Sequence, residues 1–132
     1  MDNFDQSRQA LGGAVRNESG WIFLEDCWFI GNVAQGGPAF PDGYSGHGQS
    51  GYGGAIHNSG TLQALRCTFR QNTARGGHGG LNLYSAPTYW GNASGGSGAG
   101  GAIWNTGSLS VADSSFVSNS VAGGYGGKGN YG

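Results

Sequence analysis

The chain has 132 residues, 30 of them glycine, and six Lys or Arg against seven Asp or Glu leave a net charge of −1. That length suits one domain rather than two, and so small a charge excludes nucleic acid as the main partner. Four Trp, six Tyr and six Phe argue against disorder, and glycine does not recur at every third position along the chain as collagen requires.

In chain order, Met1–Asp5 lacks the basic start and apolar stretch of a secretory signal, and Phe4 and Leu11 are placed to cap whatever follows. The first unit then reads Gly12-Gly-Ala-Val-Arg-Asn17, followed by Gly20-Trp-Ile-Phe-Leu-Glu-Asp-Cys-Trp-Phe29-Ile-Gly-Asn32-Val-Ala34. The second is Gly53-Gly-Ala-Ile-His-Asn58 with Gly60-Thr-Leu-Gln-Ala-Leu-Arg-Cys-Thr-Phe69-Arg-Gln-Asn72-Thr-Ala74. The third is Gly100-Gly-Ala-Ile-Trp-Asn105 with Gly107-Ser-Leu-Ser-Val-Ala-Asp-Ser-Ser-Phe116-Val-Ser-Asn119-Ser-Val121. Insertions at 35–51 and 75–98 separate the units, and a flexible Gly/Tyr-rich tail is expected at 123–132. Tyr89-Trp-Gly-Asn92 in the second insertion echoes Phe-x-x-Asn and raises the option of a degenerate fourth coil. No stretch approaches the ~20 apolar residues of a membrane span.

Within each unit, apolar residues alternate with mostly polar ones (Ile22 and Leu24, Leu62 and Ala64, Leu109 and Val111), the period of a half-buried strand. Glycine pairs and Asn-x-Gly steps cut each unit into three pieces too short for helices. Such a unit buries its apolar face by coiling once and stacking on the next copy, at a strand spacing of about 4.8 Å. The chain is therefore expected to form an all-β, short right-handed parallel β-helix of about three coils, at 11–34, 52–74 and 99–122. Stacking aligns Val15, Ile56 and Ile103 as an aliphatic ladder and Phe29, Phe69 and Phe116 as an aromatic one. It makes hydrogen-bonded amide ladders of Asn32, Asn72 and Asn119 and of Asn17, Asn58 and Asn105 at left-handed corners. These asparagines read as structural.

The Gly-Gly-Ala-Ile/Val and Phe-x-x-Asn tetrapeptides resemble the repeats of polymorphic outer membrane proteins, a family of autotransporter adhesins, and the parallel β-helix repeats of bacterial surface proteins. The resemblance covers a little over half the chain. It implies a secreted or cell-surface β-helix used in adhesion or as a structural shaft. The family carries many repeats, a signal peptide and a membrane barrel, and this sequence shows three clear repeats and neither of the others.

The acids are Asp2, Asp5, Glu18, Glu25, Asp26, Asp42 and Asp113, and only Asp26 and Asp113 share a column, with Arg66 between them. That pattern suits exposed charge pairing and not the paired carboxylates of a glycosidase, so no enzyme is expected. His57 aligns with Arg16 and Trp104 on the outer face. His47 and His78 lie in Gly-His-Gly contexts without metal-ligand spacing, so no metal or cofactor is expected. Cys27 and Cys67 share a column whose spacing permits a disulfide, although parallel Cβ directions favour stacked thiols. Phe40, Tyr44, Tyr84, Tyr89, Trp90, Tyr125 and Tyr131 in the insertions and tail are candidate contact aromatics. The reading expected is an extracellular structural protein that assembles with its own copies end to end into a fibre or surface structure. The alternative is an adhesin-type module, or a fragment of one, that recognises a host or matrix surface.

Overall fold

A computed structural model describes residues 9–39, 46–80 and 93–127. Coil 1 contains β1 (Ala10–Leu11), β2 (Val15–Asn17), β3 (Trp21–Glu25), β4 (Trp28–Ile30) and β5 (Val33–Gln35). Coil 2 contains β6 (Gly51–Tyr52), β7 (Ile56–Asn58), β8 (Thr61–Leu65), β9 (Thr68–Arg70) and β10 (Thr73–Arg75). Coil 3 contains β11 (Gly98–Ala99), β12 (Ile103–Asn105), β13 (Ser108–Ala112), β14 (Ser115–Val117) and β15 (Ser120–Ala122). They form five three-stranded parallel sheets, each with the coil-2 strand in the middle. The chain is a short parallel β-helix of three coils.

Each coil has five strands where the sequence predicts three pieces, because a further strand follows the Asn32, Asn72 and Asn119 corner and a two-residue strand precedes each glycine pair. Leu11 belongs to that first strand and pairs with Tyr52, so it is part of coil 1 rather than a cap. Phe4 lies outside the described residues.

Register follows the motifs. Val15, Ile56 and Ile103 are partners, as are Ile22, Leu62 and Leu109 and the three phenylalanines. The Phe69 ring stacks on Phe29 at 5.1 Å and on Phe116 at 4.8 Å, with planes within 4° and 9° of parallel. Ile56, Leu62 and Phe69 are wholly buried, so coil 2 carries the core.

The Gly-Gly-Ala step has a separate reason for each glycine. Gly12, Gly53 and Gly100 sit at φ of 72°, 69° and 64°, a left-handed corner. At Gly54 the constraint is space: a Cβ would lie 2.0 Å from the Gly101 carbonyl oxygen and 2.5 Å from the Thr73 nitrogen. Two other left-handed columns are Asp26, Arg66 and Asp113, and Gly31, Gln71 and Ser118. The ladder asparagines are not among the left-handed residues, which corrects the expected reason for their place. Their side chains turn the chain by hydrogen bonds instead. The Asn17 amide donates to Asn58 (2.7 Å) and Asn58 to Asn105 (2.6 Å). Asn32 donates to Asn72 (2.8 Å) and Asn72 to Asn119 (2.9 Å), while Asn72 and Asn119 also donate to the carbonyls of Phe29 and Phe69 in the preceding coil.

The described parts of the insertions and tail form a second hydrogen-bonded body. Segments 36–39, 76–80 and 123–127 leave the three coils, and 46–50 and 93–97 return. They interleave through Gln49 N–H to Gly37 C=O, Gly77 to Gln49, Gly96 to Gly77 and Gly124 to Gly96, at 2.7–2.9 Å. Donors recur every third residue: Gly36 and Ala39 bond to Arg75 and His78 of coil 2, Gly76 and Gly79 to Ala122 and Tyr125 of coil 3, and Gly77 and Gly80, then Gly124 and Gly127, to the return segments. Three-residue spacing is that of an extended threefold helix and not of a β-strand. Its layers approach so closely that a Cβ at Gly77 would lie 1.9 Å from the Gly37 oxygen. Glycine is required at such positions, while the third position of each triplet carries Pro38, His78 and Tyr125, or His47 and Ser94. The tail expected to be flexible is therefore, up to residue 127, a bonded layer of this stack. The Tyr89–Asn92 echo lies outside the described residues.

Candidate functional site

The burial of equivalent ladder residues picks out the coil-3 end of the solenoid. Leu62, Ala64, Phe69 and Ala74 of coil 2 are at most 3% exposed, whereas their coil-3 partners Leu109, Val111, Phe116 and Val121 are 41%, 38%, 50% and 53% exposed. Their side chains share the interior columns of those coil-2 residues, and among the described residues no further coil covers them. Gly101, Ala102, Ile103, Leu109, Phe116, Ser118, Asn119 and Val121 line a shallow depression of about 450 Å³ there. At the coil-1 end, Val15, Ile22, Leu24 and Phe29 are half-buried and Ala34 is buried. The two ends therefore differ in how far their ladder residues are covered.

A second surface was not foreseen from the sequence. The outward positions of β3 to β5 carry Trp21, Phe23, Trp28, Ile30 and Val33, all exposed, with the Trp21 and Phe23 rings 6.4 Å apart and within 10° of parallel. The same columns carry Thr61, Gln63, Thr68, Arg70 and Thr73 in coil 2, and Ser108, Ser110, Ser115, Val117 and Ser120 in coil 3. Only coil 1 is aromatic on this face. The signal was present in the β3 alternation, where Trp21 and Phe23 occupy the positions that the period assigns to solvent.

Of the predicted contact aromatics, Phe40, Tyr44, Tyr84, Tyr89, Trp90 and Tyr131 lie outside the described residues. Tyr125 is exposed and stacks on His78, with ring centroids 5.1 Å apart. Cys27 and Cys67 are free thiols in one column, half-buried and buried, continued by Ser114. Each donates to the carbonyl two residues earlier, Glu25 or Leu65, as Ser114 does to Ala112, so the column closes the left-handed Asp26, Arg66 and Asp113 corner.

Arg66 pairs with coil 1 alone, through Asp26 (2.7 and 3.0 Å) and Glu25. The Asp26–Arg66–Asp113 ladder is thus a one-sided pairing. The hydrogen bond from Arg66 holds the Asp26 carboxyl below its usual range, and the bonds to Asp26 and then Glu25 raise the Arg66 pKa further above its already high value. These groups are exposed, and among the described residues no cluster of three His, Cys, Asp or Glu is placed to hold a metal.

His57 sits between Arg16 and Trp104 in its column, with Nδ1 buried and unpartnered among the described residues. Burial, then the nearby Arg16 charge, lowers its pKa. The unfolded chain therefore binds a proton that the folded chain resists, in the window between the ordinary value of about 6.5 and the lower folded value. His57 favours folding fully above about pH 6.5, and that contribution falls as the medium is acidified through the window. Melting curves at pH 8, 6.5, 5.5 and 5 should show a lower midpoint in acid for the parent and a smaller fall for His57→Gln. Equal slopes would contradict this assignment.

Comparison with family models, curated proteins and solved structures finds no match to this chain.

Proposed function

We propose that the protein is a non-enzymatic structural element that assembles by stacking its coil-3 end on coil 1 of another copy, in an extracellular fibre or surface structure. The observation that carries this reading is the exposure of Leu109, Val111, Phe116 and Val121 at positions that are buried one coil earlier. Covering those side chains removes apolar surface from water, and the strand edges of β11 to β15 gain partners in the register already used twice. A net charge of −1 opposes association weakly.

Sedimentation over a wide concentration range tests it. The parent should pass from monomer to large species as concentration rises. Val111→Lys, which places a charge in the contact, should stay monomeric while keeping the parent's circular dichroism. A parent that remains monomeric throughout, or a folded Val111→Lys that assembles as well, would overturn the proposal.

The Trp21, Phe23 and Trp28 face favours a second reading, an adhesin-type module that docks a partner through coil 1. Under it, replacing Trp21 and Trp28 by Ser would abolish retention on a host or matrix surface and leave sedimentation unchanged.

A further inference from the structure

Among the described residues, one arrangement in the glycine stack is complete once, half formed once and open once. In the first instance, return segment 93–97 lies in the groove between 46–50 and 76–80. There Ser94 C=O accepts Gly48 N–H at 2.9 Å, and Gly96 N–H donates to Gly77 C=O at 2.9 Å. Segment 46–50 makes the equivalent contact one layer earlier, with Gln49 N–H on Gly37 C=O. Shifting this pattern by one coil turns Gly48 N–H into Gly95 N–H and Gly77 C=O into Gly124 C=O. Among the described residues neither has a partner. The two groups border the groove between 93–97 and 123–127, at the coil-3 edge of the stack.

We propose that this groove docks one further extended glycine-rich strand supplied in trans, running parallel to 93–97 with the chemistry of that segment. The molecule's own occupant sets the requirement. At Gly96, a Cβ would lie 2.0 Å from the Gln49 carbonyl oxygen and 2.4 Å from its carbon. The incoming residue at the equivalent position meets Gly96 C=O in the same way, so any side chain there is rejected by backbone. Two residues earlier the position is lenient, because Ser94 is exposed in the resident strand. The groove thus selects a strand of the form Ser-Gly-Gly, accepting from Gly95 N–H and donating to Gly124 C=O. An ordinary period-2 β-strand with side chains at every position is excluded. The groove lies at the same coil-3 end as the apolar face, but its contacts are backbone hydrogen bonds of the glycine stack and do not involve the exposed side chains of Leu109, Val111, Phe116 and Val121.

The test is a titration of the full ¹⁵N-labelled chain, at a concentration where it sediments as a monomer, with the peptide Ala-Ser-Gly-Gly-Ser-Gly followed by amide spectra. Saturable shifts are expected at Gly95, whose N–H gains an acceptor, and at Tyr125, whose nitrogen reports on the Gly124 carbonyl. A second peptide, Ala-Ser-Gly-Ala-Ser-Gly, replaces the glycine that meets the backbone and should bind at least tenfold more weakly. Absence of saturable shifts at Gly95 and Tyr125 up to about 10 mM peptide, equal affinity for the two peptides, or shifts confined to Leu109 and Phe116 would each overturn the proposal.

Discussion

Phe69→Ala should destabilise the protein by about 3–5 kcal/mol, the range for removing a large aromatic ring from a core. Phe69 is wholly buried and stacks on a phenylalanine in each neighbouring coil. Truncation loses the transfer free energy of the ring and both stacking contacts, and leaves a void that coils tied by five sheets cannot close. For a domain of this size the thermal midpoint should fall by about 10 °C or more. Phe116→Ala provides the internal comparison: its ring is half exposed, so the same truncation should cost clearly less in the monomer. Similar midpoints for the two variants would show that burial along the ladder does not grade as described.

Asn72→Ala should have an effect of comparable size by a different route. Asn72 is wholly buried, and its Oδ1 accepts the backbone N–H and the side-chain amide of Asn32, at 3.0 and 2.8 Å. Its Nδ2 donates to Phe29 C=O and Asn119 Oδ1. Alanine leaves the Asn32 N–H and side-chain amide and the Phe29 C=O of coil 1 without these partners, while Asn119 Oδ1 keeps the Asn72 backbone N–H. At about 1–3 kcal/mol for each group left unpaired, a total of roughly 3 kcal/mol or more is expected. Asn72→Asp separates shape from chemistry, since it keeps the acceptor and loses the donor. Equilibrium urea unfolding should rank the parent above both variants. An Asn72→Ala midpoint within error of the parent would contradict the amide ladder.

The coil architecture was legible because its signals are local and repeated. Gly-Gly-Ala, the alternating apolar pairs, Phe and Asn recur in register, and stacking forces equivalent residues into contact, so Ile56 meets Ile103 once the motifs are aligned. What sequence reading missed is governed by geometry that a motif match does not carry. The left-handed corners fall on Asp26, Arg66 and Gln71, residue types with no strong preference in common, because the bonds of the neighbouring coil impose the turn. The glycine stack is not marked by glycine at every third position along the chain, because its threefold segments are short and stack side by side from separate stretches of sequence. The signal lay in short Gly-Gly-x runs, Gly76-Gly-His-Gly-Gly80 and Gly123-Gly-Tyr-Gly-Gly127, with the larger residue at the outward third position. The aromatic face of coil 1 is not marked by the repeat, because the same columns carry no aromatic in coils 2 and 3, yet Trp21 and Trp28 are more exposed than any ladder residue.

End-to-end continuation of the ladders is tested most directly in assembled protein prepared from equal amounts of two copies, one labelled with ¹³C on its Phe rings and the other with ¹⁵N and a distinct Phe isotope pattern. Solid-state spectra should show Phe69 correlated with Phe29 and Phe116 within each copy. They should also show Phe116 of one copy correlated with Phe29 of the other, because coil 1 of the second copy takes the place of a fourth coil. Intramolecular ring contacts without any contact between Phe116 and Phe29 of different copies would contradict the account.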